Sequence, residues 1–270
     1  MALTDLAGYF GALLIGIVLG LIGGGGSILT VPVLVYLFFI NPVTATAYSL
    51  FVVGSSSLVG ALKNIQKHLV DFKTALVFSI PAFIAVYCTR RYIVPAIPGQ
   101  LLEIGNFEVT KEIGIMLFFA ILMLASALSM IFDKKQVKFS SIGESDKNYA
   151  ALVPLGILTG LITGMVGAGG GFIIIPILVL LAKLPMKSAV GTSLFIIAVN
   201  SLLGFLGDIG NIEIQWIFLL IFTSISILGI IIGIFLGRFI NGRNLKKGFG
   251  WFVLIMGIYI IWKEMNQLLI

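Results

Sequence analysis

The chain has 270 residues, of which 59% are hydrophobic and 10% charged, with a mean hydropathy of +1.16. A soluble domain carries about 25% charged residues, so the composition excludes one and describes a polytopic membrane protein. The single cysteine, Cys88, and single histidine, His68, exclude an internal disulfide and a Cys/His metal cluster, while the net charge of +6 reads as basic loops that set membrane orientation, not as a nucleic-acid surface.

Apolar segments follow one another near 6–22, 27–40, 43–62, 73–95, 112–132, 149–166, 172–183, 187–206, 214–240 and 248–266. Residues 1–20 lack the basic n-region of a cleavable signal, so the first segment is expected to be retained. A full crossing needs about 20 residues, which leaves 27–40 and 172–183 short. They are either tilted or re-entrant partners of their predecessors, and the number of crossings lies between about six and ten. The polar stretch 133–148 divides the chain into a first transmembrane repeat, 1–132, and a second, 149–270.

Between the first two segments lies the run Gly23-Gly24-Gly25-Gly26-Ser27, leading to Pro32, and 144 positions later comes Gly167-Ala168-Gly169-Gly170-Gly171, leading to Pro176. Sliding the chain by that interval aligns 23–65 with 167–209 without a gap and makes 16 of the 43 positions identical. Leucine and valine matches are cheap in membrane sequence. Those at Gly23/Gly167, Gly25/Gly169, Gly26/Gly170, Pro32/Pro176, Ser49/Ser193 and Ser57/Ser201 are not, and they establish an internal duplication.

Loop charge orients the copies. If the linker with Lys134, Lys135, Lys138 and Lys147 faces the cytoplasm, Lys63, Lys67, Lys73, Lys183, Lys187, Arg238, Arg243, Lys246 and Lys247 also fall inside. Only Arg90, Arg91, Lys111 and Lys263 fall outside, a bias that obeys the positive-inside rule. The basic loop at 63–73 is then internal, while its repeat partner near 207–214, with Asp208 and Glu213, is external. The expected fold is therefore all-α and polytopic, with two inverted repeats whose helices are broken or re-entrant at the glycine-rich loops. Arg90 and Arg91 stand either at an external rim or in a segment that ends elsewhere than Pro95.

Inverted repeats bring their broken elements together near the midplane. A helix is expected to begin after each run, around Ile28 and Phe172, and a helix start offers unpaired N–H donors and about half a positive charge. Such a site binds a small oxyanion without a cationic side chain, whereas glycines serving packing alone are the competing account. The expected substrate-binding residues are Gly23, Gly24, Gly25, Gly26, Ser27 and Ser49 from the first copy, and Gly167, Gly169, Gly170, Gly171, Thr192, Ser193 and Asn200 from the second. Tyr48, Ser55, Ser56, Ser57 and Ser201 lie on the same two segments.

Almost no ionisable residue occupies a segment centre, so an obvious proton relay is missing. Asp208, Glu213 and His68 are read as solvated rim residues, and Lys63, Lys67, Arg238 and Arg243 could draw anions to the inner mouth. The second glycine run loosely resembles a phosphate loop, but no GKS/GKT signature or βαβ unit accompanies it. No Ser-His-Asp, Cys-His or paired-carboxylate constellation can be assembled. Neither an enzyme, a cofactor nor a resident metal is expected.

The segment from Gly20 through Pro32, repeated from Gly164 to Pro176 and followed by Gly191-Thr192-Ser193 and Asn200, resembles the TauE/SafE sulfite-exporter family over nearly the whole chain. The resemblance implies a multi-pass permease of the inner or plasma membrane for sulfite, a sulfonate or a related anion, acting as an exporter. Ala47-Tyr48-Ser49 replaces Gly191-Thr192-Ser193 in the first copy, and Ser56 stands opposite Asn200, so the site should be asymmetric. A non-transporting scaffold and a permease for another solute are the alternatives, and a cation is disfavoured by the lack of buried carboxylates. Coupling ion (proton or sodium), direction and oligomeric state are left open.

Overall fold

The computed structural model describes residues 3–104, 107–132, 149–237 and 242–268; the linker 133–148 lies outside them. Helix α1 spans Leu3–Ile22, a 3-10 turn Gly24–Leu29 leads into α2 at Thr30–Leu37, and α3 spans Pro42–Gln66. Helix α4, Phe72–Cys88, runs through a π turn at Thr89–Ile93 into α5, Val94–Ala96. After the strands β1 (Gln100–Ile104) and β2 (Phe107–Thr110) come α6 (Lys111–Phe132), α7 (Tyr149–Val166), α8 (Gly171–Leu180), α9 (Met186–Asp208), α10 (Trp216–Leu236) and α11 (Gly242–Leu268). Among the described residues eight helices are long and apolar enough to cross a membrane. The antiparallel pair β1–β2 and an isolated bridge between Ile209 and Ile212 depart from an all-helical reading.

Local chemistry sets the helix starts. Asn41 accepts a hydrogen bond from the Val43 amide (2.9 Å) with Pro42 in the first turn, and Asp71 accepts one from the Thr74 amide (3.0 Å), each satisfying a donor that the first turn leaves free. The duplication recurs in the backbone. Gly23 (φ 79°) and Gly167 (φ 74°) break the chain alike. Phe39 (φ 54°) and Lys183 (φ 52°), also 144 apart, both take the left-handed conformation that turns each short helix into the long one after it.

Burial separates the helices into two classes. The α3 and α9 spans are 72% and 67% buried, and the others between 28% and 44%, so α3 and α9 form the centre and the rest present Leu, Ile and Phe outward. Glycine contacts give the helix directions. Gly54 meets Leu202 and Gly60 meets Leu194, so α3 and α9 run antiparallel, with residues near 56 and 200 level. Gly250 meets Met130 and Gly257 meets Leu124, so α6 and α11 are also antiparallel. Gly16 lies on Gly229 and Ile230 while Gly20 lies on Gly233 and Ile234, which makes α1 and α10 parallel. Gly156, Gly160 and Gly164 step along Phe78, Ala82 and Thr89, which makes α7 and α4 parallel. Small residues at these contacts let the backbones approach closely.

Candidate functional site

The two glycine runs meet over the α3–α9 pair. A Cβ on Gly24 would overlap the Gly171 backbone, and one on Gly171 would overlap that of Gly24. Both positions are helix starts: Gly24 opens the 3-10 turn that feeds α2, and Gly171 opens α8. The residues before them, Gly23 and Gly170, have positive φ and make no side-chain cap. The second helix thus begins one residue before the expected Phe172. The first begins four residues before Ile28, because Gly24, Gly25 and Gly26 coil into the turn themselves. Ser27 closes it by donating to the Gly24 carbonyl (2.7 Å).

Each central helix turns a stripe of serine, aliphatic residue and serine along one face: Ser49, Val53, Ser57 on α3 and Ser193, Ile197, Ser201 on α9, all four residues apart. Val53 lies against Gly169, and Ile197 lies against both Gly24 and Gly169. A Cβ on Gly169 would stand 3.1 Å from Ser201 Oγ, and one on Gly23 would stand 3.4 Å from Ser193 Oγ. The hydroxyls of Ser49, Ser57, Ser201 and Thr30, and the Asn200 Oδ1, are buried with no hydrogen-bond partner among the described residues. A membrane serine ordinarily bonds a carbonyl of its own helix; Ser193 does so with Val190 (2.9 Å). Unpartnered hydroxyls also occur on α4 and α10, at Thr74, Ser79 and Thr223; those of Ser49, Ser57 and Ser201 lie on the helix faces that carry Val53 and Ile197 against the glycine runs.

Of the expected residues, the structure gathers Gly23, Gly24, Gly26, Ser27, Ser49, Gly167, Gly169, Gly170, Gly171, Thr192, Ser193 and Asn200 in buried positions, with Gly25 inside the 3-10 turn. Gly26 and Gly167 face other backbone, at Leu19 and Thr46 respectively. Thr192 accepts the Asp71 amide (3.0 Å), and its repeat partner Tyr48 accepts the Gln215 amide (2.6 Å). Asp71 and Gln215 are themselves 144 apart. Each copy thus ties the start of the other's outer helix with a hydroxyl. Ser56 pairs with Ser226 (3.0 Å), while Ser55 is only half-buried.

Charge is where the sequence reading needs correction. Asp208 is not a solvated rim residue: it is 3% exposed, and Arg90 is fully buried beside it. Arg90 Nη1 stands 3.6 Å from Asp208 Oδ2 and donates to Thr46 Oγ1 (3.1 Å). The fourth apolar span continues to Ala96, carrying Arg90 inside and leaving Arg91 exposed. A π turn, a distortion common at functional sites, holds Arg90, and Gly207 makes room for it, since a Cβ there would meet Arg90 Cβ at 3.0 Å. Glu213 and His68 are exposed as expected. Glu264 is buried and accepts from Tyr36 (2.7 Å), so with Asp208 two buried carboxylates stand where none was expected. Among the described residues no His/Cys/Asp/Glu cluster could hold a metal ion.

Residues 9–260 match the family model described as Sulfite exporter TauE/SafE. A "Probable membrane transporter protein" of Xylella fastidiosa (strain 9a5c) is 28% identical over 94% of both chains. The "Probable membrane transporter protein YunE" of Bacillus subtilis is 27% identical over 92% of each, and a probable membrane transporter protein of Methanocaldococcus jannaschii is 24% identical over 92% of each. No solved structure gives a significant match. With its eight apolar helices and these relatives, the protein is a multi-pass membrane transporter.

Proposed function

This chain belongs to the sulfite exporter TauE/SafE family, and we propose that it is a secondary permease, working as an exporter, for a small sulfur oxyanion such as sulfite or an organosulfonate. The observation that carries the substrate class is the meeting of two uncapped helix starts at Gly24 and Gly171 beside unpartnered serine hydroxyls. Two helix N-termini each present about half a positive charge. Bringing them into backbone contact is unfavourable until an anion lies against both. Backbone amides and hydroxyls then supply hydrogen bonds in several directions, as a tetrahedral or pyramidal oxyanion requires. Glycines serving packing alone would account for the contact between the runs, but would leave Ser49, Ser57 and Ser201 buried without a role.

Transport proceeds in this scheme by alternating access between inverted repeats. Two counterpart pairs support that arrangement, since α3 runs antiparallel to α9 and α6 to α11; the matching parallel packing of α1 on α10 and of α7 on α4 is consistent with it. The protein would sit in the cell membrane with residues 133–148 on the cytoplasmic side, as the loop charges favour. Liposomes containing the purified protein and loaded with labelled sulfite or methanesulfonate should release it faster than equally loaded protein-free liposomes do. The same anion at 100 times its Kd should stabilise the detergent-solubilised protein by about 2.7 kcal/mol. Absence of both flux and stabilisation with sulfur oxyanions would overturn the proposal and leave the scaffold alternative standing.

A further inference from the structure

The copies share the repeat and the backbone break at Gly23 and Gly167, but not the charge at their ends. At one end of the α3–α9 pair stand Arg90, Asp208 and Thr46. Their counterparts at the other end are Ile234, Asn64 and Val190. Ile234 and Val190 pack with Leu19, Ala61, Leu194 and Ile230 in an apolar cluster, and Asn64 turns its amide onto the Gly60 carbonyl of its own helix (2.8 Å). One end is closed by aliphatic side chains and the other by an ion pair. Nothing in a duplicated scaffold demands a fully buried guanidinium, and an ionisable group inside a membrane protein is costly unless it is used.

The hydrogen bonding of Arg90 is incomplete in a specific way. Nη1 serves both Thr46 and the distant Asp208 carboxylate. Nε and Nη2 are buried with no partner among the described residues. Those two nitrogens form the side-on edge of the guanidinium, the pair of parallel donors that fits two oxygens of one oxyanion. Asp208 Oδ2 is held at ion-pair distance without a hydrogen bond, so it balances the charge of Arg90 without occupying that edge. Thr46, which orients Arg90, also meets Gly167 of the second glycine run through its backbone, so the cation and the first residue of that run share a neighbour.

We propose that Arg90 is a specificity-determining residue of the transport site, its Nε/Nη2 edge binding the substrate oxyanion while Asp208 serves as the counter-charge when the anion is absent. This rests on the oxyanion-permease function and corrects the expectation that backbone donors suffice. Two oxygens of a sulfite or sulfonate group meet the edge side by side, which a halide cannot do. Asp208 competes for the same cation, so its charge weakens substrate binding and allows release.

The test is sulfite and methanesulfonate flux in liposomes, with the anion-dependent rise in Tm, for the wild type, Arg90→Lys, Asp208→Asn, and the double variant Arg90→Gln/Asp208→Asn. The double variant removes both charges together and so avoids stranding a buried carboxylate. It should raise KM for either anion roughly 10- to 100-fold, the worth of hydrogen bonds to a charged group. Arg90→Lys keeps the charge but loses the paired edge, and should raise KM about tenfold while changing chloride inhibition little. Asp208→Asn should lower KM. A structural role alone would lower Tm and protein yield in these variants and leave KM unmoved. Wild-type KM in both Arg90→Lys and the double variant would overturn the proposal while leaving the permease function intact; if the double variant does not fold, wild-type KM in Arg90→Lys alone overturns it. Failure of the wild-type protein itself to transport or bind either anion would instead overturn the function on which it rests.

Discussion

Ser201→Ala separates a binding site from a packing motif by the sign of its effects. Ser201 is fully buried, its hydroxyl has no partner, and the oxygen lies 3.1 Å from the position a Cβ on Gly169 would take. A buried hydroxyl left unmatched costs about 1–3 kcal/mol. The membrane-embedded reference state recovers part of that, since interhelical hydrogen bonds average only about 0.6 kcal/mol there. Removing the oxygen should therefore leave the substrate-free protein unchanged or more stable, by up to about 1 kcal/mol. With an anion bound, the same hydroxyl donates to a charged acceptor, and its loss should cost about 1.5–3 kcal/mol, or roughly 10- to 100-fold in KM. Thermal unfolding in detergent gives the first quantity, and flux against sulfite concentration in liposomes gives the second. Ser57→Ala, the counterpart across the duplication, should behave alike. A variant less stable by more than about 1.5 kcal/mol with unaltered KM would show that the hydroxyl serves the fold, and the site would have to be placed elsewhere.

Gly171→Ala should abolish transport and lower yield, because its Cβ would overlap the Gly24 backbone, whereas Gly99→Ala, with nothing within 4 Å, should match the wild type in Tm and flux. Thr192→Val removes the acceptor of the Asp71 amide and should lower stability by about 0.5–1.5 kcal/mol. Its KM should stay within about twofold of the wild type, since that hydroxyl is already engaged; a large rise in KM with normal Tm would return Thr192 to the binding shell.

Much of the centre was legible because its signals are costly to produce by chance. Glycine, proline and serine repeated at one interval are rare in apolar sequence, and they located the two breaks and the helices that carry the serine stripes. The Arg90–Asp208 pair was not legible. Both residues sit where apolar segments end, and average hydropathy cannot distinguish a side chain at a rim from one folded inward by a π turn and admitted by Gly207. Their partnership joins positions far apart in the chain, which no local pattern reports. A further signal was present and unused: Gly16 and Gly20, Gly229 and Gly233, and Gly156, Gly160 and Gly164 recur every fourth residue. That spacing lines one helix face with glycine, and it marks the faces on which α1 meets α10 and α7 meets α4.

The unequal ends bear on which way the empty transporter opens. Alternating access asks the same scaffold to part at either end of the site, and the matching ties of Thr192 to Asp71 and Tyr48 to Gln215 offer similar resistance at both. The layer beneath differs. Parting the apolar end wets Leu19, Val190, Leu194 and Ile234, at about 25 cal/mol for each Å² of apolar surface. Parting the charged end lets water reach Arg90 and Asp208, whose burial is itself unfavourable, and so recovers part of their desolvation cost. Without substrate the charged end should open more often, and loop charge assigns that end to the outside. Ala45 and its counterpart Ala189 are both fully buried, one near each end. With Cys88 replaced by serine, Ala45→Cys should react with a water-soluble maleimide in detergent several-fold faster than Ala189→Cys. In Arg90→Gln/Asp208→Asn the two rates should converge. Equal rates in the protein that retains the ion pair would show that the charge asymmetry does not bias opening.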